Sequence, residues 1–150
     1  MKSLNYMEVS FKAQSVNEGF ARLVVAGFCL PLKPNLDELG DIKTAVSEAV
    51  TNCVVHAYPN GNGLVWLSCE YFDDGLVKIV VKDEGIGIKD IAKAREPFFT
   101  TKPGEERSGM GFAVMESFMD NVEVAQNDHR GLCVTLYKRL EGVSAGAMHA

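Results

Sequence analysis

Glu48 and Asn52 stand one helical turn apart in Ser47-Glu48-Ala49-Val50-Thr51-Asn52-Cys53. A carboxylate and a neutral amide oxygen at i and i+4 project together from a helix. The pair suits a magnesium ion with a hydroxyl or water beside it, because magnesium takes few oxygen ligands from protein and completes its shell with waters and phosphate oxygens. A second constellation is Asp83-x-Gly85-x-Gly87 at the end of an apolar alternating run. A carboxylate there can accept a hydrogen bond from an exocyclic amine, and glycines let a flat ring lie close to the backbone. That chemistry suits adenine. A third is Ser108-Gly109-Met110-Gly111, which opens an apolar periodic stretch. Free N–H groups at a helix N-terminus make a phosphate site, and Lys102 and Arg107 before it supply cations above such phosphates. Each feature also has a plainer reading: a polar helix face, a turn, a tight glycine packing site, solvated charges. Rival phosphate and metal motifs are absent. Gly85-Ile86-Gly87 lacks the third glycine of a dinucleotide fingerprint, no glycine-rich run ends in Gly-Lys-Ser/Thr, and Asp83-Glu84-Gly85 lacks the alternating ligands of a calcium loop.

The elements that must hold these residues follow from periodicity. Tyr6–Lys12 alternates as a strand. A helix runs from a Ser15 cap, with Glu18 three residues on, to Leu30, and its predicted buried stripe is Phe20, Leu23, Val24 and Phe28. Pro31 and Pro34 end it. Asn35 caps a second helix with Glu38 placed to close a capping box, and this helix carries Glu48 and Asn52 before stopping at Ala57-Tyr58-Pro59. Its predicted buried face is Leu39, Ile42, Val46, Ala49, Val50 and Cys53. Strands at Leu64–Phe72 and Leu76–Lys82 are joined by Asp73-Asp74-Gly75, a hairpin signal. The irregular run from Lys89 to Arg107 is too long for a plain connection and reads as a functional loop. A third helix follows, then strands at Val122–Ala125 and Leu132–Tyr137. The order β-α-α-β-β-loop-α-β-β predicts an α+β two-layer sandwich, a mixed and mostly antiparallel sheet with helices on one face.

The chain has 150 residues and a formal charge of -5, with 47% hydrophobic and 23% charged residues. That composition fits one domain over 1–140, large enough to bury about 68–70% of its unfolded surface without a staple, followed by a tail over 141–150. The acidic balance argues against direct nucleic-acid binding. Cys29, Cys53, Cys69 and Cys133 show no CxxC spacing and sit in apolar runs, so buried free thiols and a cytoplasmic setting are expected. No run is long enough to span a membrane.

Together, Glu48-x-x-x-Asn52, Asp83-x-Gly85-x-Gly87 and Gly109-x-Gly111 resemble the N, G1 and G2 boxes of the GHKL (Bergerat-fold) ATP-binding superfamily. Ser47–Asn52, Pro97-Phe98-Phe99-Thr100-Thr101-Lys102-Pro103 and Glu106–Phe112 further resemble the anti-sigma F factors, the serine kinases of sporulation, over about Tyr6 to Leu140. The resemblance implies ATP or ADP with Mg²⁺. Glu48 would be the general base and Asn52 the metal ligand, while Asp83, Gly85 and Gly87 would hold the adenine. Thr100, Thr101, Lys102, Arg107 and Ser108 would form a lid, with Arg107 near the γ-phosphate, and Gly109, Met110 and Gly111 would donate backbone N–H groups. Arg22 and Arg107 would meet partners: a sigma factor of the sigma F type, a STAS-domain anti-anti-sigma factor phosphorylated on serine, and a second copy in a homodimer. An endospore-forming bacterium is the implied source. Many family members place threonine just after the final hairpin glycine; here Gly131 precedes Leu132 and Cys133, a departure expected to weaken nucleotide affinity, and Thr135 falls on the Cys133 side of the strand. The stress-response anti-sigma B kinases share the boxes. A histidine-kinase catalytic domain would require its acceptor histidine on another chain, since His56, His129 and His149 all follow Glu48. A binding module without catalysis would not need Glu48.

Overall fold

The third strand shows how this sequence makes its sheet. In β3 (Leu76–Asp83), Val77, Ile79, Val81 and Asp83 are buried, while the alternate residues Lys78, Val80 and Lys82 are half-buried on the opposite face. That is the two-residue period of a strand with one face covered. The buried row thus runs through three aliphatic side chains and ends on a carboxylate.

The computed structural model describes residues 1–59, 61–87, 95, 111–127 and 130–142. Around β3 stand β1 (Ser3–Lys12), β2 (Leu64–Phe72), β4 (Asn121–Gln126) and β5 (Leu132–Arg139), in the order β1-β2-β3-β5-β4. Each of the four pairings is antiparallel. The α+β sandwich expected from the element order is what the structure shows, with no parallel pair among the described residues. The Asp73–Gly75 hairpin forms as its residues dictate: Gly75, at φ 87°, donates to the Phe72 carbonyl at 3.0 Å, and Asp74 Oδ1 accepts the Leu76 N–H at 3.2 Å.

Among the described residues three helices cover the sheet: α1 (Asn17–Cys29), α2 (Leu36–Asn52) and α3 (Gly111–Phe118). α2 lies between the other two and buries Ile42, Ala45, Val46, Ala49 and Val50. Its start is held by the expected capping box. Asn35 Oδ1 accepts the Glu38 N–H at 2.7 Å and Glu38 Oε1 accepts the Asn35 N–H at 3.0 Å, a reciprocal cap whose side-chain half is worth about 1 kcal/mol. Glu38 Oε2 also accepts the Glu141 N–H at 2.9 Å, so this buried carboxylate ties Glu141, beyond the last strand, to the start of α2.

α1 departs from its predicted form in two ways. Its cap is Val16, with no side-chain bond, in place of Ser15. Glu18 turns away from the helix start, and its Oε1 accepts the Thr51 and Ser47 hydroxyls of α2. The buried face is Ala21, Val25, Ala26 and Cys29, whereas Phe20 is 47% and Leu23 70% exposed. α1 is apolar nearly all round, and periodicity alone cannot choose among its faces. Close packing of helix on helix favours the edge with small side chains. Phe20 instead lies edge-on to Phe11 at 5.9 Å, and Phe28 tilts over Tyr71 at 5.1 Å.

Candidate functional site

Glu48 and Asn52 occupy the last two turns of α2 and are half-buried. After Asn52 the helix widens into one π turn, Cys53–Ala57, a local distortion that recurs at functional sites. The widening replaces the plain helical ending expected to Ala57. It sets the Cys53 thiol over the end of β3, with Sγ 3.6 Å from Asp83 Oδ2. It also directs the Ala57 carbonyl at the strand's exit, where it accepts the Ile86 N–H at 2.8 Å. A Cβ on Gly85 would overlap that carbonyl. The glycine therefore serves the approach of two backbone segments, a constraint separate from the ligand ring that its motif suggests.

Asp83 is 4% exposed and closes the buried row of β3. Its Oδ1 accepts the Gly85 N–H at 2.9 Å and the Leu132 N–H at 3.2 Å. Its own carbonyl accepts the Asn127 amide at 2.9 Å. Burial pushes the carboxyl above the ordinary carboxylate range, opposed by those two N–H groups and by the Cys53 thiol. Burial, then the neighbouring carboxylate, pushes the Cys53 thiol well up, so it is a protonated donor. Gly131, at φ 88°, passes so close that a Cβ there would overlap the Asp83 carboxylate and carbonyl. Gly87, at φ 74°, faces the flexible Gln126 side chain and Gly131. Around this centre Tyr58 links the start of β2 to the residue after β3, its hydroxyl donating to the Leu64 carbonyl at 2.6 Å and accepting the Glu84 N–H at 2.7 Å. Arg130 donates to the Gly85 carbonyl at 2.9 Å.

The fit of this site to a nucleotide and a metal rests on what the protein leaves unused. Asn52 Nδ2 is buried with no hydrogen-bond partner among the described residues. A buried polar atom without a partner costs about 1–3 kcal/mol, and turning the amide about its last bond exchanges nitrogen for oxygen at that place. An external oxygen-rich group or a metal would use this capacity. Asp83 Oδ2 retains accepting capacity as well, since its one partner among the described residues is a weak thiol donor. Both features suit the groups inferred from the sequence.

The structure links Asn52 to Asp83 through Cys53, which follows Asn52 in the chain and touches Asp83. Gly111 is the buried first residue of α3. Thr100, Thr101, Lys102, Arg107, Ser108, Gly109 and Met110 lie outside the described residues. Arg22, expected on the exposed side of its helix, is half-buried and donates from Nη1 to Ser47 Oγ at 3.1 Å, one residue from Glu48. Thr135 pairs with Val80 and Glu123, on the sheet face opposite Asp83, and so does not stand in for the threonine missing after Gly131. Cys53, Tyr58, Asn127 and Arg130 join the site without being singled out by any motif. Of these only Cys53 carries a signal, being the residue after Asn52, and its place on the apolar face of the helix marks it equally as core.

All four cysteines are free thiols, three buried and Cys133 half-buried. No helix among the described residues is long and apolar enough to cross a membrane.

Comparison with known proteins shows the family and the fold. Residues 11–138 match the family model described as the histidine kinase-like ATPase domain. The anti-sigma F factor of Geobacillus thermodenitrificans is 52% identical over 137 residues, which are 91% of this chain and 93% of the relative. That of Priestia megaterium is 47% identical over 142 residues, 94% of this chain and 97% of the relative. Among solved structures, the RsbU and RsbW domains of Rv1364c from Mycobacterium tuberculosis superpose with a TM-score of 0.66 at 19% identity, covering 91% of this chain and 33% of that one. The histidine kinase domain of the Erythrobacter litoralis EL346 blue-light activated kinase gives 0.53 at 20% identity, covering 75% and 50%. These two likenesses show the shared fold. A histidine kinase-like ATPase domain across most of its length, and about half its residues shared with proteins that match it nearly end to end, show that the chain belongs to the anti-sigma F factor family.

Proposed function

We propose that the protein is a serine kinase and anti-sigma factor: it holds a sigma factor of the sigma F type inactive and uses Mg-ATP to phosphorylate a STAS-domain anti-anti-sigma factor on serine. The observation that carries the reading is the end of α2, where Glu48 and Asn52, whose amide nitrogen has no partner among the described residues, stand one turn apart and the residue after Asn52 touches Asp83.

Each residue has a task that its position supports. Asp83, ionised, accepts the 6-amino group of adenine on Oδ2, while Gly85 and Leu132 hold Oδ1. Glu48 takes the proton of the incoming serine hydroxyl, as a general base within reach of the nucleophile does. The magnesium ion, held by Asn52, supplies charge neutralisation at the phosphate oxygens when bound. Gly111 belongs to the phosphate-binding turn at the start of α3, and Lys102 and Arg107 belong to the lid. Phosphoryl transfer asks mainly for positioning and charge stabilisation, and one carboxylate base is enough for that.

Arg22 is the proposed partner contact. Its bond to Ser47 places it beside the residue that precedes Glu48, so a protein bound there meets the catalytic helix. A homodimer belongs to the same reading, and the exposed cap residue Val16 with Phe20 and Leu23 of α1 is an apolar surface available to it. A cytoplasmic setting in an endospore former is part of the proposal.

The test is label transfer. γ-Labelled ATP with candidate STAS proteins is expected to give an acid-stable phosphoserine, lost in Glu48→Gln while ADP affinity stays within about threefold. An acid-labile product would point to histidine instead. Bound ATP with no label transferred to any STAS protein would end the kinase reading.

A further inference from the structure

Two donors hold Asp83 Oδ1, the Gly85 N–H at 2.9 Å and the Leu132 N–H at 3.2 Å. The other oxygen has one partner among the described residues, the Cys53 thiol at 3.6 Å. We propose that Cys53 is a positioning residue for base recognition, its thiol fixing Oδ2 of Asp83 so that the carboxylate presents one oriented acceptor to the 6-amino group of a purine. The proposal rests on the nucleotide reading above and adds a residue to it.

Three observations support the assignment. Cys53 Sγ lies 3.5 Å from the Ala49 carbonyl as well, but that carbonyl already accepts the Cys53 N–H in the helix. The buried carboxylate has the stronger claim on the single S–H proton, since hydrogen bonds to an ionised acceptor are about twice as strong as neutral ones. Second, no hydroxyl is available for the task from the neighbouring strand. Leu132 offers only its backbone N–H, and Cys133 and Thr135 belong to the opposite sheet face. Third, Cys53 is 3% exposed and begins the π turn, so close packing restricts the rotamers its thiol can adopt. A carboxylate pinned at one oxygen only can still swing about its Cβ–Cγ bond. Pinning the second oxygen sets the plane in which a base must lie.

Titration calorimetry with Mg²⁺ present tests this, using ADP and the diphosphate of purine riboside, which lacks the 6-amino group. The wild type is expected to prefer ADP. In Cys53→Ala that preference shrinks by roughly tenfold, the scale of one charge-assisted hydrogen bond, and Cys53→Ser restores most of it. Cys53→Val, which keeps the volume and lacks the donor, gives the same loss and serves if Cys53→Ala is poorly folded. Equal weakening of both nucleotides, or an unchanged preference in Cys53→Ala and Cys53→Val, would overturn the positioning role while leaving the nucleotide reading intact. A folded wild type that binds neither compound would overturn that reading, and the role of Cys53 with it.

Discussion

Gly131 crosses Asp83 so closely that a methyl group on its Cα would occupy the space of the carboxylate. Its φ of 88° adds a backbone conformation that L-residues avoid. Gly131→Ala therefore meets two penalties at once. We expect a loss of about 2–4 kcal/mol in urea unfolding, from strain and forced displacement together, and ADP binding weakened at least about tenfold because Asp83 must move. Equilibrium unfolding and calorimetry measure the two effects separately.

Gly85 and Gly87 share a motif and differ in what surrounds them. A Cβ on Gly85 runs into the Ala57 carbonyl, whereas one on Gly87 meets first the end of the Gln126 side chain, which can turn aside. Gly85→Ala is thus expected to cost more stability than Gly87→Ala, which carries the cost of its positive φ, about 1–2 kcal/mol, and of shifting the Gln126 side chain. Thermal melts of the two variants rank them.

Asp83→Asn separates stability from function. Burial raises the Asp83 pKa in the folded state. The folded chain thus holds its proton to higher pH than the unfolded chain, whose carboxyl titrates near about 3.9. The stability contributed by this group is fully present below that value and is lost as pH rises through the folded pKa. At pH 7 without nucleotide, Asp83→Asn is expected to be more stable than wild type, an advantage that vanishes toward pH 3. Its amide nitrogen would face the 6-amino group donor to donor, and ADP affinity should fall by about 100-fold or more. Urea unfolding across pH, with calorimetry at pH 7, checks both halves.

Glu38 is a structural carboxylate at the opposite end of α2 from this chemistry. One oxygen closes the Asn35 cap and the other accepts the Glu141 N–H. Glu38→Ala should destabilise by about 2–3 kcal/mol, the sum of a cap and a second bond to a charged acceptor. Glu38→Gln retains one accepting oxygen and should lose less. Urea unfolding measures both losses, and neither variant should change the ratio of ADP to purine riboside diphosphate binding.

Residues governed by their neighbours in the chain are legible in the sequence alone. The Asn35–Glu38 cap, the Asp73–Gly75 hairpin, the alternation that buries Val77, Ile79, Val81 and Asp83, and the shared projection of Glu48 and Asn52 all depend on geometry within a few residues. Local backbone rules are enough for these. Glu18, Arg22 and Phe20 escape such rules because their partners Thr51, Ser47 and Phe11 belong to other elements of the fold. Which face of an apolar helix turns inward depends on the surface it meets. The same holds at the site's centre. Residue types and spacing name Asp83 as the polar end of a strand, but only the packing of α2 on β3 decides that a thiol from residue 53 and a backbone N–H from residue 132 hold it. Contacts between segments 30 and 49 residues apart form only once the chain has collapsed around its core, and they leave no periodic trace in the sequence.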